Sequence, residues 1–245
     1  SLANGIKYAV THGAKVISMS IGYSAPSNTV RAELQDAYDH GVVVIASAGN
    51  SGGPGSTKHG RPAPESFPAN YPGVISVSAV SASGTVANFS SDNLPVKVAA
   101  PGVRIPAQGR DGQYWLVSGT SPACALVAGV AALIKSKYPH LAPDLVASAL
   151  TSTTTDRPSG GYNSQVGFGI VDAAAALTRA ARLAGVRPVA ASVKDTTKYH
   201  GTLPPVPVRP RGSGQLVLFA LLALTSLALS AAAATQLILL RRGSR

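Results

Sequence analysis

The chain has 245 residues, 21 Lys and Arg against 10 Asp and Glu, a net charge of +11 and one cysteine, Cys124. A single cysteine excludes an intrachain disulfide, and no cluster of His, Cys or acidic residues has the spacing of a metal site. The charge does not point to nucleic acid either. From residue 185 onward eight basic residues stand against one acid, so +7 of the +11 belongs to the last 61 residues; the other +4 is spread over 184 residues with no basic run.

In chain order, residues 2–11 read as a helix, 16–21 as a strand and 30–40 as a helix. Residues 42–46, 74–80 and 96–100 read as strands, and 123–138, 141–150 and 171–183 as helices. The strands are near-continuous apolar runs, as V-V-V-I-A at 42–46 shows, which is the pattern of strands buried on both faces. Alternating with helices, they predict an α/β fold with a largely parallel sheet. Roughly 184 residues suffice to bury a substantial core.

The character changes at residues 185–214. Pro188, Pro204, Pro205, Pro207 and Pro210 appear and no period survives, which predicts an extended, semi-rigid linker. Residues 215–240 follow as a predicted transmembrane helix, and 241–245 as a basic tail. The 25 residues 216–240 carry no charge, and as a helix they extend ~37 Å, enough to cross a hydrocarbon layer of ~30 Å. Basic residues flank both ends, so their count does not set the orientation.

Residues 119–127 read G-T-S-P-A-C-A-L-V, placing Ser121 where an irregular segment becomes an apolar helix. A helix start offers unpaired N–H groups and the positive end of a dipole, which suits a nucleophile whose attack creates an oxyanion. The alternative at such a position is a simple N-cap. Upstream, the strand V-V-V-I-A runs into S-A-G-N-S-G, with Asn50 at the tip of a turn.

These two segments, in this order, resemble the subtilisin-like serine proteases. So do K-V-I-S-M-S-I-G at 15–22, F-P-A-N-Y-P-G-V-I-S-V-S-A at 67–79, N-F-S-S at 88–91, V-A-A-P-G-V at 98–103 and G-F-G-I-V-D-A-A-A-A-L at 167–177. The resemblance covers about three-quarters of the chain. It implies a three-layer subtilisin-like domain over residues 1–184, with the N-terminal part of that domain missing. It also implies Ser121 as nucleophile and the Asn50 side chain as an oxyanion-hole donor. Ser20, Ile21 and Gly22 become the edge segment that pairs with an extended peptide, and Ala48 and Gly49 join Asn50 in lining the pocket for the side chain before the scissile bond. No cofactor is required for such catalysis; the resemblance allows structural calcium, but its ligands cannot be assigned.

A serine hydroxyl needs a base, and in this family the histidine and its orienting aspartate precede the region present here. The chain opens on Ser1 and its only methionine is Met19, so it reads as the C-terminal part of a longer enzyme, inactive as it stands. None of His12, His40, His59, His140 and His200 has the position of the family's base. Pro122, Ala125 and Leu126 also depart from the family's pattern after the serine, which leaves the helix intact, since Pro is tolerated in a first turn. Other motif readings fail: G-T-S-P-A lacks the second glycine of a nucleophile elbow, and the glycine-rich segment 49–60 has no G-K-[ST].

The expectation is a membrane-anchored serine endopeptidase acting on protein or peptide substrates. The protease domain lies outside the cell membrane and the five-residue tail inside. Domain, proline-rich linker, span and basic tail together resemble the mycosins, proteases of type VII secretion, which implies secretion-system components as partners. The rival expectation is a pseudoprotease, a membrane-tethered assembly subunit that keeps the peptide cleft without the chemistry.

Overall fold

Successive residues of one strand feed two separate cores. The computed structural model of the chain describes residues 1–52, 65–92 and 95–185. Within it β2 (Val43–Ser47) is buried at every position. Val43 and Ile45 belong to one core, while Val42, Val44 and Ala46 belong to the other, as the two-residue period of a strand requires. β1 (Val16–Met19), β2, β3 (Ile75–Val80) and β4 (Val96–Pro101) form a parallel sheet in that order, with Val16 beside Val43 and Ile45 beside Ile75.

On one face α1 (Leu2–Thr11) and α2 (Asn28–Asp39) contribute Ile6, Val10, Leu34 and Ala37, joined by Phe67 and Tyr71. On the other, α3 (Thr120–Lys137) packs against all four strands. α4 (Pro143–Ser152) and α5 (Ala173–Ala184) share its core through Val127, Ile134, Val146, Leu150 and Ala180. Each fully buried aliphatic side chain there contributes about 1.5–3 kcal/mol. The α/β class and the parallel sheet expected from the strand pattern are both present.

Element boundaries shift where a cap or a distant partner intervenes. Ser27 Oγ accepts the Val30 N–H at 3.4 Å, so α2 begins at Asn28 rather than at residue 30. Asp172 Oδ1 accepts the Ala175 N–H at 2.9 Å, and Val171 donates its own N–H to Ala99 O, so α5 starts after both. β1 stops at Met19, short of the expected 16–21, because the chain beyond it leaves the sheet and pairs elsewhere: Tyr23 and Phe67 exchange both backbone hydrogen bonds, at 2.8 and 2.9 Å.

An antiparallel hairpin, β5 (Ile105–Gln108) with β6 (Tyr114–Val117), was not foreseen. Pro106 argues against a strand at 105–108, and the consecutive large apolar residues Tyr114, Trp115 and Leu116, all exposed, give the second segment no alternation of a half-buried strand. The linker beyond Gly185, the span expected at 215–240 and the tail lie outside the described residues. Among the described residues no helix is long and apolar enough to cross a membrane.

Candidate active site

The site lies beyond the carboxyl ends of β1 and β2, where loops of a parallel sheet gather side chains. α3 begins at Thr120 with Gly119 as its N-cap, and no side chain of its own first turn caps it. Ser121 is therefore the second helical residue, and the plain N-cap alternative does not describe it. The four positions from Gly119 to Pro122 have no intrahelical acceptor for an N–H, and Gly119 donates its own to Gly102 O at 2.8 Å. Thr120 donates its N–H to Asn50 Oδ1 at 2.9 Å, and Pro122 has no N–H. The Ser121 amide is the donor left over, beside its own hydroxyl.

Asn50 is oriented by the same contact. Thr120 also donates its hydroxyl to Asn50 Oδ1 at 2.9 Å, and its Oγ1 accepts the Gly49 N–H at 3.2 Å. A backbone amide can only donate, so the atom it meets is the oxygen, and Nδ2 with its two protons is the other branch. Nδ2 lies close to Gly119: a Cβ there would be 3.4 Å from it. The turn that carries Asn50 is clamped by the N-F-S-S segment. Ser91 donates its N–H to Gly49 O at 3.0 Å, Ser51 donates to Ser91 Oγ at 3.0 Å, and Gly52 donates to Phe89 O at 2.8 Å. Gly49 has φ +109°, a conformation open to glycine and strained for other residues.

Ser20 ties the end of β1 to the same point, donating its hydroxyl to Ser121 O at 3.2 Å. A cleft of about 280 Å³ results, lined by Ser20, Ile21, Gly22, Gly49, Asn50 and Ser121 among others. Six of the seven residues expected at the site thus come together. Ala48 does not line the cleft: its side chain is fully buried and its N–H donates to Val77 O at 2.9 Å, extending the sheet ladder beneath the turn. Thr120, Glu65 and Ser66 also line the cleft and were not singled out from the sequence. Thr120 was legible within the G-T-S motif; the other two directly precede the F-P-A-N-Y segment without a signal of their own.

One turn along α3, Cys124 is fully buried, with Ser18 Oγ 3.6 Å from its sulfur. Burial pushes its thiol up from the ordinary range, opposed by hydrogen bonding to Ser18, Met19 O and Ser20. The described histidines lie elsewhere. His12 and His40 cap the C-termini of α1 and α2, each with Nδ1 2.8 Å from a carbonyl of its own helix, and His140 is exposed between α3 and α4. Among the described residues no histidine or aspartate lines the cleft, and no group of three or more His, Cys, Asp or Glu side chains could hold a metal ion.

The model of the subtilase family, peptidase S8, matches residues 1–169. The chain belongs to the subtilase family. Subtilisin DY of Bacillus licheniformis is 38% identical over 176 residues, which are 72% of this chain and 61% of that protein. Subtilisin E of Bacillus subtilis strain 168 is 40% identical over 154 residues, 63% of this subtilase and 39% of the relative. A solved structure of MycP1, a serine protease described as an essential component of the type VII (ESX-1) secretion system, superposes with a TM-score of 0.61 at 34% identity, covering 73% of this chain and 56% of that one. The subtilase chain therefore spans 61% or less of the length of these relatives. The mycosin likeness suggested by the sequence is matched by this neighbour.

Proposed function

We propose that this chain is the nucleophile-bearing part of a serine endopeptidase. The observation that carries the reading is the pairing of Asn50 Oδ1 with Thr120, which leaves an amide N–H pair of Asn50 and the backbone N–H of Ser121 as donors beside one hydroxyl. In this reading Ser121 Oγ attacks the scissile carbonyl and its proton passes to a histidine oriented by an aspartate, neither of which is among the described residues lining the cleft. The new Oγ–C bond places negative charge on the carbonyl oxygen, which the two donors stabilise. Collapse breaks the C–N bond, the histidine returns the proton to the leaving amine, and water then hydrolyses the acyl-serine by the same route.

The substrate lies along residues 20–22 as an added strand, with Gly49 and Asn50 facing the side chain before the scissile bond. Ala48 supports that turn from below. Residues 215–240 anchor the enzyme in the cell membrane with the peptidase domain outside, and the likeness to MycP1 supports placement beside secretion machinery.

The test is hydrolysis of fluorogenic peptides by the full-length protein and its Ser121→Ala variant, together with fractionation of membranes. Turnover that depends on Ser121, in the membrane fraction, is expected. Turnover unchanged in the variant contradicts the peptidase reading, and a freely extractable full-length protein contradicts the anchor.

A further inference from the structure

We infer that Glu65 selects a basic side chain, lysine or arginine, at the substrate position immediately before the scissile bond; this rests on the peptidase reading above. Glu65 is the single carboxylate among the described residues lining the Ser121 cleft, and no Lys, Arg or His stands with it there. Its neighbour Ser66 spans the cleft between two glycine backbones. A Cβ on Gly22 would overlap Ser66 Oγ, and a Cβ on Gly49 would lie 3.6 Å from Ser66 Cβ. Glu65 is thereby held at the wall joining the segment that pairs with substrate to the turn that carries Asn50.

The rest of the lining suits no large apolar group. Apart from Ile21 and Tyr23 the described lining consists of hydroxyls, glycine backbone and the Asn50 amide. Ser66 fills the gap between Gly22 and Gly49, so an unbranched aliphatic stem would lie over Ser66 at the mouth of the cleft, with its cationic head in a polar, hydrated environment. Among the described lining residues one carboxylate then sets the sign of the preferred charge: it attracts a cation and repels a glutamate or aspartate side chain. Because Glu65 is exposed, the attraction is moderate and weakens with salt.

The experiment uses the full-length protein and three peptides that differ only before the scissile bond, in lysine, norleucine or glutamate. The wild type should cleave the lysine peptide with kcat/KM about two- to fivefold above norleucine, and glutamate below both. High salt should compress that ratio, Glu65→Gln should bring it toward one, and Glu65→Lys should invert it in favour of glutamate. Each comparison is a ratio within one preparation, so partial misfolding of a variant does not distort it, and the salt series needs no variant. Cleavage of all three peptides with a ratio that neither salt nor these substitutions change overturns the role of Glu65 alone. Cleavage of none overturns the peptidase reading, and this inference with it.

Discussion

Asn50 and Thr120, 70 residues apart in sequence, are locked together by two hydrogen bonds to one atom: Thr120 donates both its N–H and its hydroxyl to Asn50 Oδ1 at 2.9 Å. The contact does two things at once. It caps the first amide of α3, and it fixes which end of the Asn50 amide carries protons toward the serine.

The two roles separate by substitution. Asn50→Ala removes cap and donor together, so both stability and turnover should fall. Asn50→Asp keeps an oxygen for Thr120 and places a negative charge at a helix start, which preserves the cap, but it offers the oxyanion no proton. Stability within about 1 kcal/mol of wild type is expected for Asn50→Asp. Its kcat should drop by about 100- to 1,000-fold, the magnitude known for the loss of such a donor in a subtilisin itself. Denaturation and kinetics of the full-length protein check this; an Asn50→Asp variant with wild-type kcat contradicts the donor role.

Gly102 buttresses the same helix start from the sheet. Its O accepts the Gly119 N–H at 2.8 Å, its N–H donates to Val80 O at 2.9 Å, and a Cβ there would lie 2.6 Å from both Gly119 O and Ala79 Cβ. Neither obstacle is the end of a flexible side chain. Gly102→Ala should cost about 1–3 kcal/mol of stability by overpacking. Displacing Gly119 also moves Thr120 and Ser121, so kcat/KM should fall by about 100-fold even in the folded fraction. A thermal midpoint and a kcat/KM both unchanged would refute the buttress.

Local patterns made most of the sheet legible. The apolar run at 42–46 announced β2, and Ser27 and Asp172 mark their helix starts by ordinary capping chemistry. The start of α3 was not local. Its cap comes from Asn50, so a reading of neighbouring residues began the helix at 123 and left the capping of Ser121 open, whereas Thr120 is already helical. The expected strand at 16–21 overran because Ser20 is recruited to Ser121 O and Tyr23 to Phe67, contacts that strand periodicity does not encode. Family motifs located Ser121, Asn50 and residues 20–22 together in the cleft. Ala48 shares the motif yet faces the sheet, because the strand ladder continues one residue past Ser47.

Cys124 should be chemically silent although it sits one turn from Ser121. Burial raises its thiol pKa, so near neutral pH it is protonated and shielded. The native full-length protein should resist iodoacetamide at pH 8 and react once unfolded. A raised folded pKa stabilises fully below the unfolded value and loses that contribution as pH climbs through the folded one. Stability should therefore decline once pH passes the ordinary thiol value of about 8.5, and Cys124→Ala should remove that component of the decline. Native labelling as fast as that of a free thiol would contradict the buried, protonated state.

The most direct measurement of the central claim is active-site labelling. Full-length protein is treated with a serine-directed fluorophosphonate, digested and mapped by mass spectrometry, with Ser121→Ala in parallel. The account predicts a stoichiometric adduct on Ser121 that is absent from the variant and weakened in Asn50→Asp. A folded full-length protein that carries no adduct on Ser121, or one labelled equally in Ser121→Ala, contradicts it.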